Sequence, residues 1–234
     1  MRRLHSLSGV VPVGAFLVVH LWTNSKAMLG PASFGHAVEE INSIPFLIVV
    51  ETLGIFLPLA FHAIYGVFLA FQSRTNVAVY GYSRNWLYVL QRVTGVIAFV
   101  FIVIHMKDFR VAKALGVMQS QSFFGELGNL LSVRWRALVY LFGTTASIFH
   151  FANGLRTFLW SWGITVSERS QRFATFASAT FGLALWFLGA NTILFFATGG
   201  SMLFPTSWVR GEAGRDLNEP AIIPVPSPSV SVHP

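Results

Sequence analysis

The sequence predicts an all-α integral membrane protein, a bundle of five transmembrane helices built from a duplicated two-helix unit followed by a fifth helix. Of the 234 residues, 54% are hydrophobic and only 11% are charged, which argues against a water-soluble domain with an ordinary charged surface. Several apolar runs exceed the roughly 18 residues needed to cross a bilayer. They recur through most of the chain, so they are not one signal peptide.

Helix-sized hydropathy windows place five spans between segments rich in helix breakers at residues 30–35, 72–84, 116–132 and 167–172. Residues 1–200 are therefore expected to form the transmembrane domain. Residues 201–234 turn polar and then rich in Pro and Ser, a composition typical of a flexible tail. The predicted spans are Leu4 to Met28, Phe46 to Phe71, Trp86 to Val111, Trp135 to Trp162 and Phe173 to Thr198.

The charge pattern fits a membrane protein and not a nucleic-acid-binding protein. The net charge is +7, but the Lys and Arg residues lie at the ends of the apolar runs and form no basic helix face. Membrane lipid is the partner that this pattern indicates. The chain has no cysteine, so a metal in this protein is held by His, Met or carboxylate groups.

An internal repeat carries the histidines. Residues 4–10 (LHSLSGV) in span one match residues 90–96 (LQRVTGV) in span three, and residues 61–67 (FHAIYGV) in span two match residues 149–155 (FHFANGL) in span four. A His also follows ten or eleven residues after the repeated Gly, at His20 and at His105. Each of the first four spans therefore carries one intramembrane His, a costly placement that indicates function.

The depth of these histidines predicts how they pair. Consecutive spans run in opposite directions, so His20 and His105 lie near one membrane face while His62 and His150 lie near the other. The two pairs should be separated in depth by roughly 10 to 15 Å. Two imidazoles from facing helices are the natural axial ligands of a haem iron, so the sequence predicts two b-type haems. Because bis-histidine ligation leaves no open position for oxygen, electron transfer is the expected chemistry.

Other polar and small residues are candidates for contacts with the haems. Gly66 and Gly154 follow a His by four residues and would leave room for a flat macrocycle, although they could equally serve close helix packing. Four residues near span ends could donate to the haem propionates, or lie at the membrane interface with their polar groups in the headgroups. They are His5, Gln91, Arg92 and Arg156.

The motifs Arg2–Gly9, Arg84–Trp86, Leu90–Gly95 and Phe149–Leu155 resemble the cytochrome b membrane anchor of succinate dehydrogenase (succinate:quinone oxidoreductase, complex II), of the type with five helices and two haems. The resemblance covers about residues 2 to 200. It implies that His20, His62, His105 and His150 are the axial ligands.

The same resemblance implies partners and an orientation. A flavoprotein and an iron-sulfur subunit would dock on the cytoplasmic face of a bacterial membrane, with the N-terminus on that face and the C-terminus outside. His62 and His150 would then hold the inner haem, and His20 and His105 the outer haem. Arginines of the inner segments support this orientation, whereas the basic residues of the second outer loop oppose it. Succinate would be oxidised on the flavoprotein.

A chain of two haems implies an electron acceptor at its far end. We therefore expect a quinone site near the outer haem, close to His20, Trp22 and the loop into span two, with a second site near the inner haem left open. The resemblance favours menaquinone. Glu51 is the first candidate and Glu40 the second for quinone-linked proton transfer, although Glu40 is also typical of a solvated loop carboxylate.

Two other interpretations stay open at this stage. The chain could be the cytochrome b anchor of another respiratory enzyme, such as a hydrogenase or a formate dehydrogenase, although the helix count and the Arg-Leu-His-Ser motif argue against this. It could also be a haem-free anchor, or a proton or ion carrier that uses the histidines as a relay.

Overall fold

A computed structural model describes residues 1–117, 123–201 and 203. These residues form α-helices with one 3₁₀ and two π-helical segments, and they contain no strand. The prediction of a flexible tail falls almost wholly outside the described residues. The helices are α1 Arg2–Val10, α2 Pro12–Ser25, α3 Pro31–Asn42, α4 Leu47–Glu51, α5 Leu57–Phe71, α6 Ser83–Met106, α7 Ala112–Ala114, α8 Phe123–Ser132, α9 Arg134–Ser161 and α10 Glu168–Thr198.

Within the described part of the chain, four helical runs are long and apolar enough to cross a bilayer: Arg2–Leu29, Leu47–Phe71, Ser83–Ala114 and Glu168–Thr198. They coincide with predicted spans one, two, three and five, and they confirm an all-helical membrane protein. Helix α9 coincides with predicted span four. Its 28 residues make it about 42 Å long, more than the roughly 30 Å of a hydrocarbon core. However, its arginines and other polar residues keep it out of this apolar set.

Three of the long runs contain a local interruption of the α-helix. Val11 keeps right-handed helical dihedrals between α1 and α2, and Pro12 opens α2 at a position where its missing N–H costs little. The π-helical segment Thr52–Phe56 comes just before Pro58, whose ring nitrogen cannot donate to the preceding turn. A second π-helical segment, Lys107–Val111, follows α6 directly.

The segments between predicted spans contain helices that the sequence did not predict. Gly30, with φ of 106°, ends the 3₁₀ helix Lys26–Leu29, and Pro31 then begins α3. Helix α8 lies within the segment expected to separate spans three and four. The ring of Phe124 in α8 lies 6.1 Å from that of Phe34 in α3 and 5.0 Å from that of Phe196 in α10. The two helices therefore close one end of the bundle with apolar contacts.

The long helices pack around α9. Helix α9 contacts α6, α10 and α1, while α10 also contacts α2 and α1 also contacts α5. Small residues allow the α9–α10 approach, since a Cβ at Gly182 would lie 2.6 Å from the Cβ of Ala152. Within this packing, the histidines of the first four predicted spans face one another in two pairs.

Candidate functional site

His62 of α5 and His150 of α9 face each other near the end of the bundle that carries the N-terminus. Their ring centroids lie 6.0 Å apart, and the ring planes are nearly perpendicular, at 79°. A metal bound at about 2 Å from one nitrogen of each ring needs about 4 Å between those nitrogens. The spacing of the centroids suits such a bridge.

Hydrogen bonds to the backbone orient both rings. Nδ1 of His62 donates to the carbonyl oxygen of His5 at 2.9 Å, and Nδ1 of His150 donates to the carbonyl oxygen of Gln91 at 2.9 Å. This is the bond that a metal-ligating histidine ordinarily makes with its other nitrogen, because it fixes the tautomer and the ring direction. Nε2 of each ring is then the nitrogen with a lone pair for a metal.

The glycines of the repeat leave space for these rings. A Cβ at Gly9 would lie 2.2 Å from Cε1 of His62, and a Cβ at Gly95 would lie 2.8 Å from Cε1 of His150. Gly9 and Gly95 are equivalent positions of the repeat, and their contact with the rings was not predicted from the sequence. Both glycines are required because a helix carrying a Cβ could not approach the imidazole so closely.

Gly66 and Gly154, which were expected to leave room for a haem, face two other site residues. A Cβ at Gly66 would lie 2.9 Å from Cε1 of His5, and a Cβ at Gly154 would lie 3.3 Å from Nε2 of Gln91. His5 and Gln91 are themselves equivalent in the repeat. The same two contacts therefore occur in each half of the chain. One glycine lies against the histidine of the facing helix, and the glycine four residues after that histidine lies against the residue at position 5 or 91.

His5 and Gln91 contact the histidine pair directly. The ring of His5 stacks on His62 with centroids 4.1 Å apart and planes within 8°. The amide of Gln91 donates to the carbonyl oxygen of His150 at 3.0 Å. Both residues therefore lie beside the histidine pair: the side chain of His5 stacks on the ring of His62, and the side chain of Gln91 bonds to the backbone of His150.

A buried polar network extends from Gln91 towards the N-terminal end of the bundle. Asn153 donates to Oε1 of Gln91 at 2.7 Å, and Arg156 donates through Nε to Oδ1 of Asn153 at 3.1 Å. Asn153 and Arg156 are only 8% and 7% exposed. Asn153 therefore connects Gln91, which bonds to the backbone of His150, to the positive charge of Arg156, and it satisfies buried polar groups that would be costly if unpaired.

We expect Asn153→Ala to destabilise the protein by about 2 kcal/mol, because it leaves Oε1 of Gln91 and Nε of Arg156 buried without a partner. Thermal denaturation of the detergent-purified protein, followed by far-ultraviolet circular dichroism, measures the effect. Asn76→Ala is the matched control, since Asn76 is exposed and should change stability by at most about 0.5 kcal/mol. Equal midpoints for the two variants would contradict the importance of the network.

Donors without a partner lie in the same region. Nε of Arg92 and Nε1 of Trp160 are buried and have no hydrogen-bond partner among the described residues. The guanidinium of Arg156 lies over Trp160, 4.6 Å from the ring centroid. Buried unpaired N–H groups near cationic side chains suit the carboxylates of a haem. Arg92 and Arg156 were predicted for this purpose, whereas Trp160 was not.

His20 of α2 and His105 of α6 form the second pair, towards the opposite end of the bundle. Their ring centroids lie 5.6 Å apart and their planes cross at 79°. Nδ1 of His105 is buried and lacks a hydrogen-bond partner among the described residues. Asn24 lies 3.3 Å from Nε2 of His20. This second pair has the same perpendicular arrangement as the first, but among the described residues Nδ1 of His105 lacks the backbone acceptor that orients the rings of the first pair.

Aromatic residues surround His105, and one of them bonds to an acidic residue. Its ring contacts those of Phe101, Phe109 and Tyr140, at 5.9, 5.3 and 5.9 Å between centroids. The hydroxyl of Tyr140 donates to Oδ2 of Asp108 at 2.9 Å. Sequence reasoning missed Asp108 and Tyr140. The spacing of three residues from His105 to Asp108, which in a regular α-helix would put both on one side, was the available signal for Asp108, whereas the sequence held none for Tyr140.

The two glutamates predicted for proton transfer have different surroundings. Glu51 forms an ion pair with Arg110 at 3.0 Å and is 24% exposed. Glu40 is exposed on α3. The ion pair joins the end of α4 to the π-helical segment after α6, and thus holds together the two runs that carry His62 and His105.

Comparison with known proteins identifies the family. Residues 72–190 match the model of the succinate dehydrogenase/fumarate reductase transmembrane subunit. The chain is also 44% identical, over 195 residues, to the succinate dehydrogenase cytochrome b558 subunit of Bacillus subtilis (strain 168), an alignment that covers 83% of this chain and 95% of that protein. The chain belongs to this family. No solved structure matches it.

Membership of the succinate dehydrogenase/fumarate reductase transmembrane subunit family confirms the resemblance stated from the motifs. The region that matches the family model contains His105, His150 and Gln91, but begins after His62. His20 and His62 enter the candidate site through the repeat and through the geometry of the two pairs. Their rings face those of two histidines that the family match includes.

Proposed function

We propose that this subunit is a dihaem cytochrome b anchor of succinate:quinone oxidoreductase, which carries electrons between an iron-sulfur subunit and membrane quinone. The observation that carries the proposal is the pairing of four histidines across four helices, at 6.0 and 5.6 Å between ring centroids. Haem b held by two imidazoles supplies one-electron transfer. His62, His150, His20 and His105 would hold the two irons, and Arg92, Arg156 and Trp160 would pair with carboxylates at the N-terminal end.

Helix α9 is the fifth membrane crossing in this proposal. Its length suffices, and its most polar residues have partners inside the protein. Arg156 and Asn153 bond to each other, and His150 faces His62. Polar side chains that are paired within a bundle are tolerated at membrane depth. Five crossings place the two chain ends on opposite faces.

The proposed partners are the flavoprotein and the iron-sulfur subunit, docked on the cytoplasmic face at the N-terminal end of the bundle. The relative's name as a succinate dehydrogenase subunit supports this assembly. Arg2, Arg3, Arg74 and Arg84 lie at that end, in agreement with the excess of basic residues in short cytoplasmic segments. The His62–His150 pair would then be the inner haem site and the His20–His105 pair the outer one, in a bacterial cytoplasmic membrane.

Quinone is proposed to react near the outer pair, and menaquinone is favoured by the family resemblance. A cavity of about 320 Å³ supports this location, since its volume lies within the range of small-molecule sites. It is bounded by the segment after α6, by α8 and by α9, and not by Trp22 or the loop into α4. Comparing naphthoquinone and ubiquinone analogues as electron acceptors tests the choice of quinone.

The number of haems tests the proposal as a whole. We expect a pyridine haemochrome assay of the intact complex to give two b haems per copy of this subunit, and a redox titration to resolve two low-spin components, because the two histidine pairs have different neighbours. One haem would contradict the dihaem arrangement. No haem would favour the remaining alternative, a haem-free anchor or proton carrier.

A further inference from the structure

The cavity beside the His20–His105 pair has a polar and an apolar side. Phe109 and Leu130 provide apolar walls, whereas Asp108, Glu126, Asn129 and Arg136 provide polar groups. A quinone head group has a flat apolar ring and two carbonyl oxygens that accept hydrogen bonds. The cavity offers both kinds of contact, with apolar walls for the ring and Asn129 and Arg136 as donors.

This cavity lies next to a candidate haem ligand. The ring of Phe109, which lines it, is 5.3 Å from the ring of His105. Tyr140, which packs on the same histidine, donates to Asp108 at the cavity wall. Only the side chain of Phe109 or Tyr140 would therefore separate a ligand in the cavity from His105.

Asp108 is held in a defined position. Its Oδ2 accepts the hydrogen bond from Tyr140, a residue that is only 5% exposed and is fixed between Phe101, His105 and Phe109. Oδ1 has no hydrogen-bond partner within residues 1–117, 123–201 and 203. One oxygen is therefore anchored, and the other is available to a molecule in the cavity.

The other acidic residues near this end are less well placed. Glu51 is paired with Arg110. Arg110 comes two residues after Asp108 and contacts α4, whereas Asp108 contacts α9, so the ion pair lies on another side of the segment after α6. Glu126 lines the cavity from α8, whereas the Phe and Tyr residues that pack on His105 among the described residues lie on α6, on α9 and on the segment after α6. Glu126 of α8 and Arg136 of α9 line the cavity together with Asp108, and Tyr140 of α9 donates to it; Lys107 and Arg110 lie beside it on its own segment.

We propose that Asp108, positioned by Tyr140, is the group that transfers protons to quinone bound in this cavity; the inference rests on the proposed function. Reduction of a quinone to a quinol consumes two electrons and two protons. Oxidation of succinate supplies both electrons, which arrive through the outer pair. Asp108 gives its proton to a carbonyl oxygen as the new O–H bond forms, takes another from water at this end of the bundle, and repeats the transfer at the second oxygen.

The experiment uses the intact complex in membranes, with succinate as donor and 2,3-dimethyl-1,4-naphthoquinone as acceptor. We expect Asp108→Asn to lower quinone turnover about 100-fold, in the range for loss of a general acid. Asp108→Glu should restore part of the activity, and Tyr140→Phe should give an intermediate loss. Glu39→Gln is the matched control, since Glu39 is exposed on α3, and it should behave as wild type.

Further measurements distinguish proton transfer from a structural role. The haem content of Asp108→Asn, the reduction of both haems by succinate, and the activity with phenazine methosulfate, which accepts electrons before they reach this subunit, should all equal those of wild type. The solvent deuterium isotope effect on quinone turnover should increase in Asp108→Glu. Loss of haem in Asp108→Asn, or an isotope effect that does not change, would overturn the proton-transfer role.

The outcomes separate this inference from the proposed function. A wild-type complex that lacks two haems or does not reduce the naphthoquinone would contradict the proposed function itself. Normal quinone turnover in Asp108→Asn, in a complex whose wild type is active, would overturn the inference alone. A 100-fold loss in Glu51→Gln or Glu40→Gln, with Asp108→Asn unaffected, would return the role to the residue first predicted from the sequence.

Discussion

Replacement of either His62 or His150 with Leu is expected to remove one and the same haem, lowering the haem content from two to one per subunit. Replacement of His20 or His105 with Leu should remove the other. The reason is that each iron needs both imidazoles of a pair, and the structure brings together His62 with His150 and His20 with His105. Pyridine haemochrome assays give the content, and low-temperature absorption spectra identify the haem that remains.

The control for these four variants is His36→Leu, because His36 is an exposed histidine on α3. It should keep both haems. If His62→Leu and His105→Leu removed the same component, the pairing described above would be wrong. Quinone turnover should fall to background in all four ligand variants, since the proposed electron path passes through both pairs.

Gly9→Ala and Gly95→Ala should each abolish haem binding at the His62–His150 pair while leaving the other pair intact. The added Cβ would lie 2.2 Å from His62 in the first variant and 2.8 Å from His150 in the second. Neither ring is free to move away, because each is bonded to a backbone carbonyl. Overpacking of this kind costs about 1 to 3 kcal/mol, and here the added Cβ would press directly on a proposed haem-ligating ring.

Gly54→Ala provides the comparison within the same membrane run as His62, since nothing lies within 4 Å of a Cβ at that position. Redox-resolved spectra of the three variants should show loss of one component in Gly9→Ala and Gly95→Ala only. Retention of both components in Gly9→Ala would mean that α1 can move away from α5 without cost.

The positions and the pairing of the histidines were predictable because they depend on length and direction alone. An apolar run fixes where a helix crosses, alternating direction fixes the depth of each His, and the repeat identifies corresponding positions. The two close histidine pairs of the structure are those that depth selected. Whether they bind haem stays a prediction that the assays above address.

Contacts that depend on helix rotation were not predictable. Asp108 and Tyr140 are 32 residues apart on different elements, and Asp108 lies in a π-helical segment that changes which residues share a face. The ion pair of Glu51 and Arg110 likewise joins two different elements and was not predictable. The periodicity of one helix predicts which of its own residues share a face, but not which face of the neighbouring helix packs against them.

Helices α3 and α8 were missed for a different reason. Their sequences are short and hold residues that ordinarily mark loops: α3 begins at Pro31 after Gly30, and α8 contains Gly125 and Gly128. Pro31 here opens a helix at its first turn, and Phe34 and Phe124 then bury their rings against each other and against α10. Tertiary contacts stabilise these two helices, and the local sequence alone does not predict them.

The histidine rings of the N-terminal pair are oriented by carbonyl groups of the backbone, and this has a consequence for how the two halves could diverge. A main-chain acceptor survives substitution of its own side chain. Position 5 is a histidine and its counterpart at position 91 is a glutamine, yet the acceptor for the facing imidazole is preserved in both. After a duplication, mutation could therefore change the side chains beside each ring, and with them the local polarity, without losing ligand orientation in either copy.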